Sequence, residues 1–326
     1  MIKILLLISV LLLESLFFAP GSLYASYTFT TLDYPGPGVP PSFSTYAGGI
    51  DGKNIVGWYK DSYGTGHGFV YNGTTWSTLN YPGAAQTIAS HLDNEIITGS
   101  FNDTTGNSHG FTYDGTAWTS LDFPGANWTS AVGINGRNIV GAYSDGTHYH
   151  GFIYDGKTWT SLDYPSAYWT FANGIDGANI VGTYFDSSGS GYGNSHGFEY
   201  DGTAWTALNY PGAAETVFAD INGANIVGSY FNSGHWYSFM YDGTTWTPLD
   251  YPNAVDTYAR GIQNGNIVGY YTDSFGEDHG FLATPDIAMA SPVPALGVWS
   301  MMATVAVLIA FMGKSRWQNI INPKQK

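Results

Sequence analysis

The 326-residue chain contains no cysteine and few cations, since 10 Lys and Arg residues stand against 25 Asp and Glu. Without cysteine the chain can form neither disulfides nor a thiolate metal site. Between Ser26 and Pro285 the imbalance is stronger, with 5 cationic residues against 23 acidic ones. Such a segment lacks the basic surface that binds nucleic acid or anionic lipid. Its charge suits cations, neutral glycans or a basic partner, or serves solubility alone.

The first 25 residues are typical of an export signal. Lys3 precedes a short apolar run at residues 4–13, and Ala25 is a suitable cleavage point, so that the mature chain would begin at Ser26. A membrane anchor is the alternative, but the run is too short to span a bilayer and Glu14 interrupts it. The sequence therefore predicts an exported protein.

A repeat of 41–46 residues fills the middle of the chain. A Gly-Phe motif, usually with a His before it, recurs six times, at His67, His109, His150, His196, Ser238 and His279. Each unit has four short segments rich in β-branched and aromatic residues, which end at Gly, Asn, Asp or Pro. No segment between Tyr27 and Ala283 has a helical pattern.

Four strands in each repeat of this length predict the blades of a β-propeller. The repeat array begins with a lone fourth-strand segment, Tyr27 to Pro35, and ends on a third strand at Ala283. We therefore expect an all-β, six-bladed β-propeller at residues 26–284, closed by the N-terminal strand, which removes the open edges. An open β-solenoid is the alternative. Residues 285–292 are a predicted linker.

The pattern Gly-Ile-x-Gly-x-Asn-Ile-Val-Gly-x-Tyr, followed by His-Gly-Phe-x-Tyr-Asp-Gly-Thr-x-Trp, resembles the bacterial extracellular HAF-type repeat. The resemblance covers residues 27–283. It implies an extracellular protein but no shared activity.

The last segment, residues 293–326, has 21 uncharged residues from Val293 to Gly313, followed by Lys314 and Arg316. This pattern predicts one C-terminal transmembrane helix, with the repeats outside the cell. The segment resembles a PEP-CTERM-like sorting signal of the Ile-Pro-Thr-Leu-x-x-Trp subtype, here with Val293, Pro294, Ala295, Leu296 and Trp299. The resemblance implies an exosortase-type protease as a partner. It departs from the subtype at Val293 and Ala295, and a plain C-terminal anchor is the alternative.

The repeated polar residues are expected to have structural roles, and no metal or cofactor is predicted. Each repeat histidine belongs to a different unit, whereas the ligands of one metal must converge. Asp residues that follow the second strands are expected to cap turns rather than to hold Ca²⁺. The Asp-Gly-Thr-x-Trp turns resemble the structural Asp boxes of sialidases. Arg137 and Arg260 are the only arginines of the segment, too few for a sialidase.

Candidate functional residues are those that differ between units near the start of the first strand. Ser44, Gln86, Trp128, Trp169, Glu215 and Asp256 share one position, and close by are Ser90, His91, Asn173, Asp220 and Arg260. The first strand lines the channel of a propeller, so these side chains are expected at one mouth. Aromatic faces beside polar groups suit a sugar or a cation. The candidate ligand site consists of Trp128, Trp169, Glu215, Asp256 and Arg260.

The sequence therefore predicts non-catalytic binding, or a structural role, at the cell envelope, with a glycan such as exopolysaccharide as a candidate ligand. The alternative is a glycan-cleaving propeller in which Glu215 and Asp256 serve as acid and base. No catalytic residue is assigned, because the segment shows no set of nucleophile, base and orienting group.

Overall fold

A computed structural model of the protein describes residues 26–36, 44–186 and 195–286. These residues form strands and turns, and no helix occurs among them. Across these ranges we find no helix with the length and apolar character needed to cross a bilayer. The predicted export signal, transmembrane helix and sorting motif all lie outside the described residues.

Within these ranges twenty-four strands follow one another in six units, numbered one to six along the chain. The first strands of the units are β2 (Thr45–Asp51), β6 (Gln86–Asp93), β10 (Trp128–Asn135), β14 (Trp169–Asp176), β18 (Glu215–Asn222) and β22 (Asp256–Gln263). The second strands are β3 (Asn54–Lys60), β7 (Ile96–Asn102), β11 (Asn138–Ser144), β15 (Asn179–Phe185), β19 (Asn225–Asn232) and β23 (Asn266–Thr272). The third strands are β4 (Gly66–Tyr71), β8 (Ser108–Tyr113), β12 (Tyr149–Tyr154), β16 (Ser195–Tyr200), β20 (His235–Tyr241) and β24 (Asp278–Pro285). The fourth strands are β5 (Trp76–Leu79), β9 (Trp118–Leu121), β13 (Trp159–Leu162), β17 (Trp205–Leu208), β21 (Trp246–Pro248) and, from the start of the chain, β1 (Tyr27–Leu32).

These strands pair into five sheets, four of four strands and one of eight, and the strands within each unit are antiparallel. The eight-stranded sheet contains units two and three, which a single parallel pair between Trp128 and Ser108 joins. β1 pairs with β24, with Tyr27 opposite Pro285 and Leu32 opposite Gly280. The N-terminal strand thus supplies the fourth strand that unit six lacks, as the sequence predicts.

The core repeats with the units, and each has a fully buried phenylalanine on its third strand. These residues are Phe69, Phe111, Phe152, Phe198, Phe239 and Phe281. The fourth-strand tryptophan of units one to five packs edge-on against this ring, as Trp159 does on Phe152 at 4.9 Å. The glycine of the Ile-Val-Gly motif makes room for it, because a Cβ on Gly141 would lie 2.0 Å from the Ser130 carbonyl oxygen and 2.8 Å from the Phe152 ring.

A belt of hydrogen bonds links each unit to the next at the end of the first strands. In every case, the last side chain of a first strand accepts a hydrogen bond from a backbone N–H in the hairpin turn of the following unit. The donor–acceptor pairs are Asn94 to Asp51, Gly136 to Asp93, Gly177 to Asn135, Gly223 to Asp176, Asn264 to Asn222 and Gly52 to Gln263. The last pair joins unit six back to unit one, so the series of six closes on itself.

The repeat histidines are structural, as the sequence predicts. In all five cases, Nδ1 lies between 2.8 and 3.3 Å from a carboxylate or amide oxygen just after the fourth strand, as His150 does with Asp163. Nε2 lies between 3.1 and 3.7 Å from a loop aspartate, as in His150 and Asp145. No group of metal-ligating side chains occurs within the described ranges.

The placement of Ser238 at the histidine position of unit five is wrong by one residue. Tyr237 pairs with Tyr230 as His196 pairs with Tyr184, so the tyrosine occupies the histidine position. Its ring stacks on Tyr230 at 5.4 Å, and Ser238 takes the glycine position that follows. There the Ser238 hydroxyl is buried and accepts a hydrogen bond from the Ala259 N–H at 2.8 Å.

Aspartates cap turns of two kinds: Asp103 follows a second strand, as predicted, and Asp201 belongs to an Asp-Gly-Thr-x-Trp turn. Asp103 Oδ1 accepts hydrogen bonds from the N–H groups of Thr105 and Asn107, and Asp201 Oδ1 does so from Thr203 and Ala204. The Thr105 hydroxyl also donates to Asp103 Oδ1, and it contributes most to the lowered pKa of Asp103, while the Ala204 N–H contributes most to that of Asp201.

Candidate functional site

A bulge in every first strand aims one residue of each unit at a common cavity. The pairing of first and second strands shifts register at the same position in all six units. A bulge leaves its extra residue unpaired and redirects its side chain. The bulged residues are Gly48, Ser90, Val132, Asn173, Ala219 and Arg260, and all six line a cavity of about 230 Å³. We call this cavity the mouth.

In each unit, the residue that follows the bulged residue lies at the inner end of the mouth. It is glycine in four units, but His91 in unit two and Asp220 in unit five. Two units separate these residues in either direction round the closed series, and their side chains meet, with His91 Nε2 3.0 Å from Asp220 Oδ2. Asp220 Oδ2 also accepts a hydrogen bond from the Ile262 N–H at 2.9 Å. The carboxylate thus ties together units two, five and six.

The glycines after the bulges of the other units leave room for His91 and Asp220 to meet. A Cβ on Gly49 would lie 2.7 Å from the Cα of His91, and one on Gly174 would lie 2.6 Å from the Cα of Asp220. A second cavity of about 100 Å³ lies at the other end of the first strands, with His91 and Asp93 among its lining residues. The His91–Asp220 pair therefore forms the floor of the mouth.

The His91–Asp220 pair makes stability depend on pH. Burial favours the neutral imidazole, but the charge and hydrogen bond of Asp220, with a contribution from Asp93, raise the pKa of His91 above its ordinary value. The stabilisation is complete below the pKa of unfolded histidine, about 6.5, and is lost as pH rises through the raised value. We expect the melting-temperature difference between wild type and His91→Gln to be larger at about pH 6 than at about pH 9. An equal difference at both values would contradict a charged pair.

Four aromatic rings from units one and six form a wall at the mouth, and Tyr46, Trp58 and Tyr270 among them line the cavity. Tyr46 stacks on Trp58 with ring centroids 4.1 Å apart, and Tyr258 stacks on Tyr270 at 4.6 Å. Tyr46 and Tyr270 meet edge to face at 4.9 Å, which joins the two stacks. Burial raises the pKa of the Tyr46 and Tyr258 hydroxyl groups, so both remain neutral hydrogen-bonding groups.

Two exposed cations lie over these rings. The Arg260 guanidinium is 5.4 Å from the centroid of Tyr270 and donates a hydrogen bond to its hydroxyl at 3.2 Å. The Lys60 ammonium is 5.5 Å from the centroid of Tyr46 and 5.6 Å from that of Trp58. The mouth thus combines flat apolar faces with positive charge, and Asn173 and Ser90 add neutral polar groups.

Of the five residues assigned to the site from the sequence, the structure brings Arg260 to the mouth. Trp128 and Trp169 instead meet at Tyr149, with edge-on contacts of 5.3 and 5.5 Å. Glu215 and Asp256 are not among the residues that line the mouth. All five residues lie on first strands, but four of the five side chains are not among those that line this cavity.

Glu215 and Asp256 each make a hydrogen bond to the third strand of the preceding unit. Glu215 Oε2 accepts one from the Ser195 hydroxyl at 3.0 Å, and Asp256 Oδ1 accepts one from the Trp236 N–H at 2.8 Å. These carboxylates bridge neighbouring units.

Sequence reasoning missed the aromatic wall, although a signal was present. The residue after the second-strand glycine is Trp58 in unit one and Tyr270 in unit six, whereas the other units have small residues there: Ser100, Ala142, Thr183 and Ser229. Each large ring pairs across the strands with another, Trp58 with Tyr46 and Tyr270 with Tyr258. Only comparison of the first and second strands together would have revealed these pairs.

Comparison with solved structures identifies the architecture. The β-propeller domain of the Trilobed protease from Pyrococcus furiosus matches 77% of this chain and 86% of its own, at 10% identity and a TM-score of 0.51. The fold is a β-propeller. A mutant of AofleA from Arthrobotrys oligospora matches 81% of this chain and 88% of its own, at 13% identity and a TM-score of 0.50.

The Aleuria aurantia lectin in complex with alpha-methyl-L-fucoside matches 77% of this propeller chain and 97% of its own, at 13% identity and a TM-score of 0.49. No family model matches the sequence, and the comparison with curated proteins finds no match. At these identities the similarity concerns the fold alone.

Proposed function

We propose that this propeller binds a glycan in its mouth, without catalysis, at the surface of the cell envelope. The observation that carries the proposal is the wall of stacked rings beside Arg260, Asn173 and Ser90. Aromatic faces pack against the apolar faces of sugar rings, while polar groups at the edges bind hydroxyl groups. The His91–Asp220 floor gives the mouth a closed end, so a ligand enters from one side.

We further propose that the propeller has six blades, counting the eight-stranded sheet as two. The six bulges and the six hydrogen bonds of the closed belt support this count. Each blade then contributes one bulged residue to the mouth. Because those six residues differ, the mouth is asymmetric and has one aromatic, cationic sector formed by units six and one.

Export and surface attachment remain proposals that rest on the sequence. The first 25 residues support secretion, and the segment from Val293 to Trp299 with the apolar run after it supports membrane delivery. We propose an exosortase-type protease as the processing partner and exopolysaccharide as the source of the glycan. Intact mass of the protein from its native cells would show a chain ending near Val293 if processing occurs, and a chain retaining Lys326 if it does not.

The contacts of Glu215 and Asp256 favour binding over glycan cleavage. An acid and a base must both reach the scissile bond. In this structure each carboxylate bridges two neighbouring units through a hydrogen bond. We therefore assign both residues to interfaces between units.

Replacement of the mouth tryptophan tests the proposal. We expect Trp58→Ala to weaken glycan binding by about tenfold, because the variant loses the ring that stacks on Tyr46. Binding is measured by isothermal titration with an oligosaccharide that the full-length wild-type protein retains in a glycan screen.

The matched control is the double variant Trp128→Ala/Trp169→Ala, which removes the aromatic pair at Tyr149. It should bind the same oligosaccharide as tightly as wild type. If the double variant loses binding and Trp58→Ala keeps it, the site lies at Tyr149 and the assignment of the mouth is wrong.

A further inference from the structure

We infer that the glycan bound in the mouth is acidic, and that Arg260 and Lys60 bind the carboxylate of a uronic acid residue. This inference rests on the proposed function and narrows its ligand class. The segment that carries the mouth is strongly acidic overall, with 5 cations against 23 carboxylates from Ser26 to Pro285. Two of those five cations lie over the same aromatic wall.

Arg260 is positioned to receive an anion. It is the bulged residue of unit six, so its side chain is directed at the mouth, and the residue is exposed. Its guanidinium lies 5.9 Å from the Tyr258 centroid and 5.4 Å from that of Tyr270, and Nη2 donates a hydrogen bond to the Tyr270 hydroxyl. These contacts hold the planar group in place, and a guanidinium held in this way binds a carboxylate with two parallel hydrogen bonds.

Neither cation forms an ion pair with a carboxylate of the residues that the structure describes. Within residues 26–36, 44–186 and 195–286, every ion pair joins a histidine to an aspartate. Asp220, in the floor of the mouth, pairs with His91, and no other acidic side chain of these ranges lines the mouth. A charge that is exposed and lacks an ionic partner, on a protein with few cations, is available to a ligand.

Two carboxylates of unit six form hydrogen bonds with groups other than Arg260 and Lys60. Asp278 accepts hydrogen bonds from the hydroxyl groups of Tyr46 and Thr272, both at 2.7 Å. Asp256 accepts one from the Trp236 backbone N–H.

Two highly exposed rings extend the same sector outward. Tyr63 is 92% exposed and Phe275 is 88% exposed. They occupy equivalent positions in the loops that follow β3 and β23, the strands that carry Trp58 and Tyr270. Each backbone N–H is fixed by the loop aspartate, Asp61 for Tyr63 and Asp273 for Phe275. Such rings offer stacking surfaces to further sugars of a chain that leaves the mouth.

The test compares full-length wild type with Arg260→Gln for binding to polygalacturonate and to neutral dextran. We expect wild type to prefer polygalacturonate, and Arg260→Gln to weaken that binding by roughly tenfold or more, since it removes a charge-assisted hydrogen bond. Arg260→Lys should keep part of the affinity, because it keeps the charge but loses the two-pronged geometry. Wild-type binding should also weaken as salt is added.

The matched control is Arg137→Gln, which removes the same charge from an exposed hairpin turn at the other end of the first strands. It should bind polygalacturonate as wild type does, and equal loss in both variants would overturn the inference in favour of general charge attraction. If wild type and Arg260→Gln bind dextran equally well and polygalacturonate no better, the proposed function stands and the acidic ligand is wrong. If full-length wild type binds neither polymer nor any member of a glycan panel, both fail.

Discussion

Replacing Asp220 by alanine should lower the free energy of unfolding by about 3–5 kcal/mol, the usual effect of removing one partner of a buried ion pair. Asp220 is 2% exposed and joins three units through His91 and the Ile262 N–H. The substitution leaves a buried imidazole and a buried backbone donor without their acceptor. Urea denaturation of the full-length protein, followed by fluorescence, measures the change.

A double-mutant cycle with His91→Ala isolates the pair. Because the alanine at position 220 already removes the interaction, the double variant should lose less stability than the sum of the two single variants. Asp220→Asn, which keeps an oxygen acceptor but no charge, should fall between wild type and Asp220→Ala. A loss below about 1 kcal/mol for Asp220→Ala, the size of one ordinary hydrogen bond, would contradict a buried ion pair between His91 and Asp220.

Removing the N-terminal strand should reduce stability even more. Without residues 26–34, β24 becomes an open sheet edge, and Leu32, which is 6% exposed, leaves the core. The contacts of Phe29 with Phe281 and Tyr251, at 5.6 and 5.4 Å, are also lost. We expect the melting temperature to fall by roughly 10 °C or more, together with aggregation through the exposed edge.

A circular permutant provides the control for this deletion. Residues 27–36 are placed after Pro285 through an Asp-Gly-Thr turn, the connection that precedes the fourth strand in units two, four and five. The moved strand then follows β24 in the chain and pairs with it as a hairpin, and stability should return close to that of wild type. A deletion variant as stable as wild type would show that β1 does not close the sheet in solution.

The fold could be predicted in detail because each unit repeats the same local signals. The second-strand Val140-Gly141 pair, the third-strand Phe152 and the fourth-strand Trp159 pack together. Because the same residues recur in each repeat, a single sequence is enough to recognise them. The surplus strand at one end and the missing strand at the other predicted the pairing of β1 with β24. The displaced position of Ser238 was not evident, because only strand register distinguishes it from its neighbour Tyr237.

The site was harder to predict because its geometry depends on a bulge. Variation between units drew attention to Arg260 and Asn173, three positions after the shared threonine, but regular alternation along a first strand does not predict that this position faces a common cavity. The bulge turns that residue into the mouth, whereas Trp128 and Trp169 at the strand starts lie against Tyr149. His91 and Asp220 were both noticed as variable, but nothing in the sequence shows that they meet, since 129 residues separate them.

The most direct test of a glycan-binding mouth is a crystal structure of the protein with an oligosaccharide that it retains in solution. We expect a sugar ring in the mouth, stacked against the Tyr46–Trp58 pair and within hydrogen-bond distance of Arg260. A sugar bound at Trp128, Tyr149 and Trp169, with the mouth empty, would contradict the account and return the site to the positions indicated by the sequence alone.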